Sequence, residues 1–233
     1  MIELRRHRLD GSGYLLHERE GLRLGFTEGG VSAPLLKRLF PSPRLLFLKQ
    51  VHSDRIVSEE EWRPGIEADG LFLRRPGSMA VVQTADCIPL FFFREDGRAG
   101  GVVHVGWRGL LRGIEERLAA LLGEDLGRYG FLLGPSIEAR CYEVREEMLG
   151  IFADKPYGKE IFRKTAAGGH CLDLQTGLKM SLGAQGVDPG SIQDSGLCTR
   201  CSRGRFPSYR RDGNTGRRIF NFLQLRDEGS AGS

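Results

Sequence analysis

No apolar run in this 233-residue chain is long enough to cross a membrane. The longest, IPLFFF at 88–93, falls far short of the roughly 20 residues a spanning helix needs. The opening MIELRRHRLDG places basic residues first but no apolar core behind them, so no secretory signal is expected and the expected compartment is the cytoplasm. The five cysteines are an odd number in a chain without such a signal. That argues against a disulfide framework and leaves the thiols available as ligands or nucleophiles. No internal repeat and no low-complexity segment is visible. Neither sign of charge dominates: 34 Lys and Arg stand against 30 Asp and Glu. The resulting net charge of +4 does not by itself imply a nucleic-acid partner. The two Pro/Gly-bearing stretches, 62–67 and 155–169, are too short and too apolar to be linkers, so 1–233 is expected to form a single domain.

What is present reads as buried strands bounded by turn residues at 44–51, 78–84, 88–93, 100–105 and 130–133. Helices are fewer. Leu110, Ile114 and Leu118, with Leu121 or Leu122, repeat at helical spacing over 109–122, and further helices are predicted at 144–152 and at 174–185, the last closed by Gly186 and Pro189. Short strands in succession, without a regular βαβ alternation, predict an α+β fold with a mixed sheet and helices packed outside it.

Three of these strands run out at residues suited to zinc. LLFLKQVH delivers His52, MAVVQTADC delivers Cys87 and GGVVHVGW delivers His104. Taken singly, such a histidine is more often a hydrogen-bonded structural residue and such a cysteine a small core hydrophobe. Their joint occurrence at three similar strand ends shifts the balance towards a site. Two His and one Cys leave the fourth tetrahedral position of zinc to water or substrate, which is the catalytic pattern rather than the structural one. Gln50, two residues before His52, shares its face on an extended strand. Asp69 in EADG and Asp86 beside Cys87 are placed either to orient a ligating imidazole or to act as general acid or base. After His104 the chain reads VGWRGLLRG, a Gly-rich turn into a helix where Arg108 would add charge for a phosphate.

Arginines crowd the C-terminal stretch: Arg200, Arg203, Arg205, Arg210, Arg211, Arg217 and Arg218, with Asp212 as the one carboxylate among them. Such a run is usually a solvated face, but one or two guanidiniums entering a pocket would suit phosphate. SYRRDGNTGRRIF reads as a hairpin turning near Asp212-Gly213, with Tyr209 and Arg211 on one strand face. Nucleic acid is not expected, because no recognisable module accompanies the charge. Cys198 and Cys201 form a lone C-x-x-C pair, a weak signal by itself, and Cys141 and Cys171 read as buried structural thiols.

QVHSD, EADGLF, TADCIPLFF, VVHVGWRGL, LGPSIEARCYEV and the closing CT…SYRRDGNTGR together resemble the laccase-domain family, also called YfiH-like or multicopper polyphenol oxidoreductase-like. The blocks span about 45–220 in the family's order. The resemblance implies a mixed β-sandwich layered with helices, related to the catalytic domain of cytotoxic necrotizing factor toxins. It implies a zinc-dependent purine nucleoside phosphorylase acting on adenosine, inosine and methylthioadenosine, with adenosine deaminase activity, so that purine nucleoside and phosphate are the expected partners. The family's metal ligands fall on His52, Cys87 and His104, with Val105 standing where the family has Ala. Arg108, Arg211, Tyr209 and Gln50 are the candidates for substrate contact, and Asp86 or Asp69 for proton transfer.

Two other readings stay open. A Cys–His hydrolase of the peptidoglycan-precursor editing type would use Cys87 as nucleophile and His104 as base. A copper-dependent polyphenol oxidase is the third, but five histidines without a His-x-His pair cannot furnish a trinuclear cluster as well as a mononuclear centre. Adventitious copper at the zinc ligands is compatible with the same side chains.

Overall fold

The computed structural model describes residues 2–227 other than 10, 30 and 42. Two six-stranded sheets lie face to face. In spatial order the first runs Arg5–Leu9, Ser12–Arg19, Leu22–Thr27, Ile219–Leu225, Ser78–Thr84 and Arg44–Phe47. The second runs Ile192–Asp194, Tyr129–Leu133, Ile88–Arg94, Gly100–Val105, Gly70–Leu73 and Ile56–Ser58. Most pairs are antiparallel, with parallel pairing of the strands beginning at Arg44 and Ser78, at Ile56 and Gly70, and at Tyr129 and Ile192. A small three-stranded sheet, Glu143–Val144, His170–Leu172 and Phe162–Lys164, stands beside them. The expected α+β architecture, a mixed sandwich with helices outside, is what the chain adopts.

Alternation along each strand builds the layers. Phe91 and Phe93 point between the sheets, where they meet Leu24, Phe26, Val82 and Leu223 of the facing sheet. Leu90 and Phe92, one residue out of phase, meet Leu110, Ile114, Leu118 and Leu178 of the covering helices. On the opposite side Met79, Val81, Phe220 and Phe222 bury the helix Ala33–Leu39 through Leu36. Strands covered on both faces need apolar residues at every position, which is why IPLFFF reads as a run rather than an alternation.

Four of the expected elements depart from the sequence reading by more than a single residue at one end. The strand expected over 44–51 ends at Phe47. The helix expected over 109–122 is two, Trp107–Leu111 and Ile114–Leu122, broken at Gly113, whose φ of 78° is left-handed. The 144–152 helix shrinks to Glu147–Ile151 because Glu143–Val144 pairs with the strand His170–Leu172. The expected hairpin at 208–220 is instead a helical turn, Tyr209–Asp212, capped by the Ser208 side chain accepting from the Arg211 N–H. A serine cap followed by a carboxylate is a helix-start signal that outweighs Asp-Gly turn chemistry. The N-terminal meander, Arg5–Leu9 to Leu22–Thr27, escaped pattern reading because its charged edge residues blur the alternation.

Candidate metal centre

The turns at one end of the sandwich bring the three predicted ligands together. His104 sits inside the strand Gly100–Val105, cross-strand from Pro89. Cys87 lies in the turn between Ser78–Thr84 and Ile88–Arg94, directly after Asp86, which takes a left-handed φ of 91°. His52 also has a left-handed φ, 57°. Non-glycine residues adopt that region only where their surroundings enforce it, and here the reason is visible. Asp69, fully buried, accepts the backbone N–H groups of Val51, His52 and Ser53 at 3.2, 3.0 and 2.6 Å and the Ser53 hydroxyl at 2.7 Å. Its Oδ1 also lies 2.8 Å from His104 Nδ1. One carboxylate therefore bends the His52 turn and orients the His104 ring, leaving the Nε2 of His104 to face its partners.

His52 Nε2 lies 3.9 Å from Cys87 Sγ, and the two imidazole rings stand 4.7 Å apart at 77°. One ligand atom from each of His52, Cys87 and His104 falls within 4.8 Å of the other two, spacing that one small cation between them would span. Gly106 leaves the room. A Cβ there would come 2.8 Å from His52 Cδ2 and 3.1 Å from Cys87 Sγ. The donor set therefore fits a zinc-like ion. The remaining histidines, His7, His17 and His170, join no metal-competent group among the described residues.

Burial alone would raise the Cys87 thiol, but the charge of His104 and hydrogen bonds from His104 and His52 outweigh it and bring Cys87 down to about 6. Burial likewise opposes a charged His104, yet Cys87 and the Asp69 carboxylate hold it up at about 9. Asp69 itself stays below the usual carboxylate range, because the bonds from His104 and Ser53 overcome its burial. At neutral pH and without a cation the site is a thiolate–imidazolium pair braced by a carboxylate.

These three side chains open onto a cavity of about 630 Å³, within the range of small-molecule sites. Gln50, Asp86, Arg108 and Tyr209, all predicted from sequence, line it. Gln50 is held by its own amide, which exchanges two bonds with the Gln83 backbone at 2.8 and 2.7 Å and so continues the ladder that the main chain leaves at Phe47. Asp86 accepts the Thr199 hydroxyl at 2.5 Å and the Arg210 N–H at 2.7 Å, pinning the C-terminal loop over the cavity. The structure does not bring Arg211 to the cavity. Its guanidinium turns inwards to the carbonyls of Thr199, Arg200 and Phe206 and to the Asp212 carboxylate. The helical turn sends Arg210 to the cavity instead, and Arg218 reaches it from beyond. The Arg108 guanidinium stacks 4.2 Å from the Trp107 ring, on a helix of only five residues rather than the long one expected.

Sequence reasoning missed Trp107, Tyr142, Arg210 and Arg218 as cavity residues. Tyr142 lies in the RCYEV block, and its position after a cysteine in a turn carried no chemical signal of its own. Its hydroxyl is pushed up to about 12 by burial and by the nearby Cys87 charge, so it remains a donor at neutral pH.

The family described as multi-copper polyphenol oxidoreductase laccase matches residues 33–225. A Pseudomonas aeruginosa protein named purine nucleoside phosphorylase PA4543 is 34% identical over 173 residues, 73% of this chain and 70% of that one. Purine nucleoside phosphorylase YlmD of Geobacillus stearothermophilus is 30% identical over 81% of this chain and 75% of its own. Among solved structures, the hypothetical protein YfiH of Bacillus licheniformis superposes with a TM-score of 0.82 at 26% identity, covering 94% of this chain and 98% of that one. With most of its length matched in sequence and in fold, the chain belongs to the multi-copper polyphenol oxidoreductase laccase family.

Proposed function

We propose that this protein is a zinc-dependent purine nucleoside phosphorylase that cleaves adenosine, inosine and methylthioadenosine, and that the same cavity deaminates adenosine. The observation that carries the reading is the convergence of His52, Cys87 and His104 at the floor of a cavity whose rim holds Arg108, Arg210 and Arg218. The names of the Pseudomonas and Geobacillus relatives point the same way. Zinc, held by those three side chains, supplies Lewis-acid polarisation when bound.

The chain's own groups divide the remaining work. Trp107, Tyr142 and Leu174 offer an apolar wall to a purine base. In phosphorolysis a phosphate oxygen attacks ribose C1′ as the bond to the purine nitrogen breaks, and the rim arginines hold the phosphate and balance its charge. Tyr142, protonated at neutral pH, can donate to an oxygen or nitrogen of the substrate. In deamination a water attacks purine C6 and ammonia leaves. Asp86, beside Cys87 and on the cavity wall, is the carboxylate that can reach a substrate proton, each of its oxygens accepting one bond, from Thr199 or Arg210, and keeping a further lone pair, while Asp69, fully buried and off the cavity lining, orients the ligand. The test is base release from inosine and adenosine by metal-replete protein, with and without phosphate. Phosphate-dependent hypoxanthine release, lost together with deamination in Cys87→Ala, is expected. Persistence of either activity in that variant would sink the shared site.

One observation favours a second reading. The thiolate–imidazolium pair of Cys87 and His104 is also the resting state of a cysteine hydrolase. Activity that survives thorough chelation would select the hydrolase.

A further inference from the structure

Outside the cavity the fold gathers a second cluster of ligating atoms. Cys141 closes the short 3-10 turn Ala139–Cys141, Cys198 forms a parallel bridge with Ser136, and Cys201 lies in the turn that follows. Cys141 Sγ and Cys201 Sγ are 3.2 Å apart, and all three sulfurs lie within 4.8 Å of one another. The C-x-x-C pair, weak as a motif, has thus acquired a third sulfur from 60 residues away. Cys141 and Cys198 are buried, while Cys201 is exposed and gives an ion a way in. The Arg140 guanidinium, paired with Glu138 at 2.8 Å, adds a positive charge beside the cluster.

We propose that Cys141, Cys198 and Cys201 form a second metal site, an all-thiolate one for a soft thiophilic ion such as zinc, separate from the His52–Cys87–His104 centre. Metal–sulfur bonds of about 2.3 Å set the sulfurs of a tetrahedral site roughly 3.8 Å apart. The Cys141–Cys201 separation is 3.2 Å and neither of the other two exceeds 4.8 Å, so no pair of sulfurs need move by more than about an ångström to seat the ion. A disulfide, by contrast, needs sulfurs about 2.05 Å apart, over an ångström closer than Cys141 and Cys201 stand. One divalent cation cancels two of the three thiolate charges, and the Arg140–Glu138 ion pair beside them is itself neutral, so a single negative charge remains at a site that Cys201 opens to solvent. Thiolates also select soft ions over the hard cations that carboxylates prefer.

The site's place explains what it would do. Ile137 and Tyr142, on either side of the 139–141 turn, line the substrate cavity, and Thr199 beside Cys198 donates to Asp86. An ion here ties the 139–141 turn to the 198–201 turn and fixes the cavity wall from behind. The site stands whether or not the proposed phosphorylase activity does.

The test is zinc stoichiometry against a chromophoric chelator under reducing conditions, with circular dichroism to show that each variant is folded. Wild type should bind two equivalents, Cys201→Ser and Cys87→Ser one each, and the double variant none. Because Cys201 is exposed, its serine variant disturbs no packing. Cadmium added to Cys87→Ser should give a thiolate charge-transfer band that Cys141→Ser abolishes. A single equivalent in wild type that Cys87→Ser removes, a second equivalent that survives Cys201→Ser, or an intact mass showing a Cys141–Cys201 disulfide in protein kept reduced would each overturn the proposal.

Discussion

Replacing Asp69 with Asn tests how the centre is held. The carboxylate receives the Val51 N–H, the Ser53 N–H and the Ser53 hydroxyl on Oδ2, and the His52 N–H and His104 Nδ1 on Oδ1. Every one of these neighbours presents a donor, so an amide set either way round turns its NH2 against donors and leaves at least two of them without an acceptor. Each buried donor so orphaned costs about 1–3 kcal/mol, and loss of the carboxylate's charge adds to this, so Asp69→Asn should lose roughly 3–5 kcal/mol of stability. For the centre the consequence is different in kind. His104 loses the acceptor that fixes its ring, and His52 loses the brace that holds its left-handed turn, so zinc affinity should fall about 10–100-fold. Chelator competition measures the affinity and calorimetry the stability, both at pH 7.5. A folded Asp69→Asn protein whose zinc affinity stays within twofold of wild type would refute the idea that one carboxylate organises the ligands.

Four further outcomes follow from the same geometry. Gly106→Ala puts a Cβ 2.8 Å from His52 Cδ2 and 3.1 Å from Cys87 Sγ, and overpacking of about 1–3 kcal/mol should appear as a zinc affinity lowered roughly 5–150-fold in the same competition assay. Between about pH 6 and 9 the metal-free centre holds Cys87 as thiolate and His104 as imidazolium, so cation binding must expel the His104 proton. Log affinity should therefore rise by about one per pH unit across that window, more steeply below it and level above it, with calorimetry in buffers of different ionisation enthalpy reading the released proton. Glu115 is fully buried with its Oε1 bonded to Ser181, and burial raises its pKa, so its stabilising contribution is complete below the unfolded value and is lost as pH rises through the folded one. Glu115→Gln should accordingly raise Tm at pH 8, by about 1–3 kcal/mol of stability, and leave it unchanged near pH 4. Arg210→Ala and Arg218→Ala should raise the KM for phosphate with little change in Tm, whereas Arg211→Ala, which frees three carbonyls and Asp212, should lower Tm more than it alters KM.

How much of this was legible beforehand depended on whether a residue's role is local. His52, Cys87 and His104 stood out because ligand chemistry is written in residue type and each follows an apolar strand. Their convergence needed the sheets, and the expected strand ends were only approximate: His52 lies five residues past Phe47, in a turn that exists because Asp69 draws three N–H groups to itself. Asp69 offered two roles in the sequence, and only its burial and its bonds choose between them. Arg210 and Arg211 are neighbours of identical chemistry, and the choice between strand and helical turn sends one to the cavity and the other into the scaffold. Gly113 broke a convincing helical spacing over 109–122 because a left-handed residue was needed where the chain changes direction between two helices. The cysteine cluster was invisible because its third member lies 60 residues from the pair.

The central claim is best tested by a crystal of zinc-loaded protein measured on both sides of the zinc absorption edge. An anomalous peak about 2.0–2.3 Å from the Cys87 sulfur and from one nitrogen each of His52 and His104 is the predicted result. A zinc-replete crystal with no peak among those three side chains, or with the imidazoles turned away from the thiol, would contradict it.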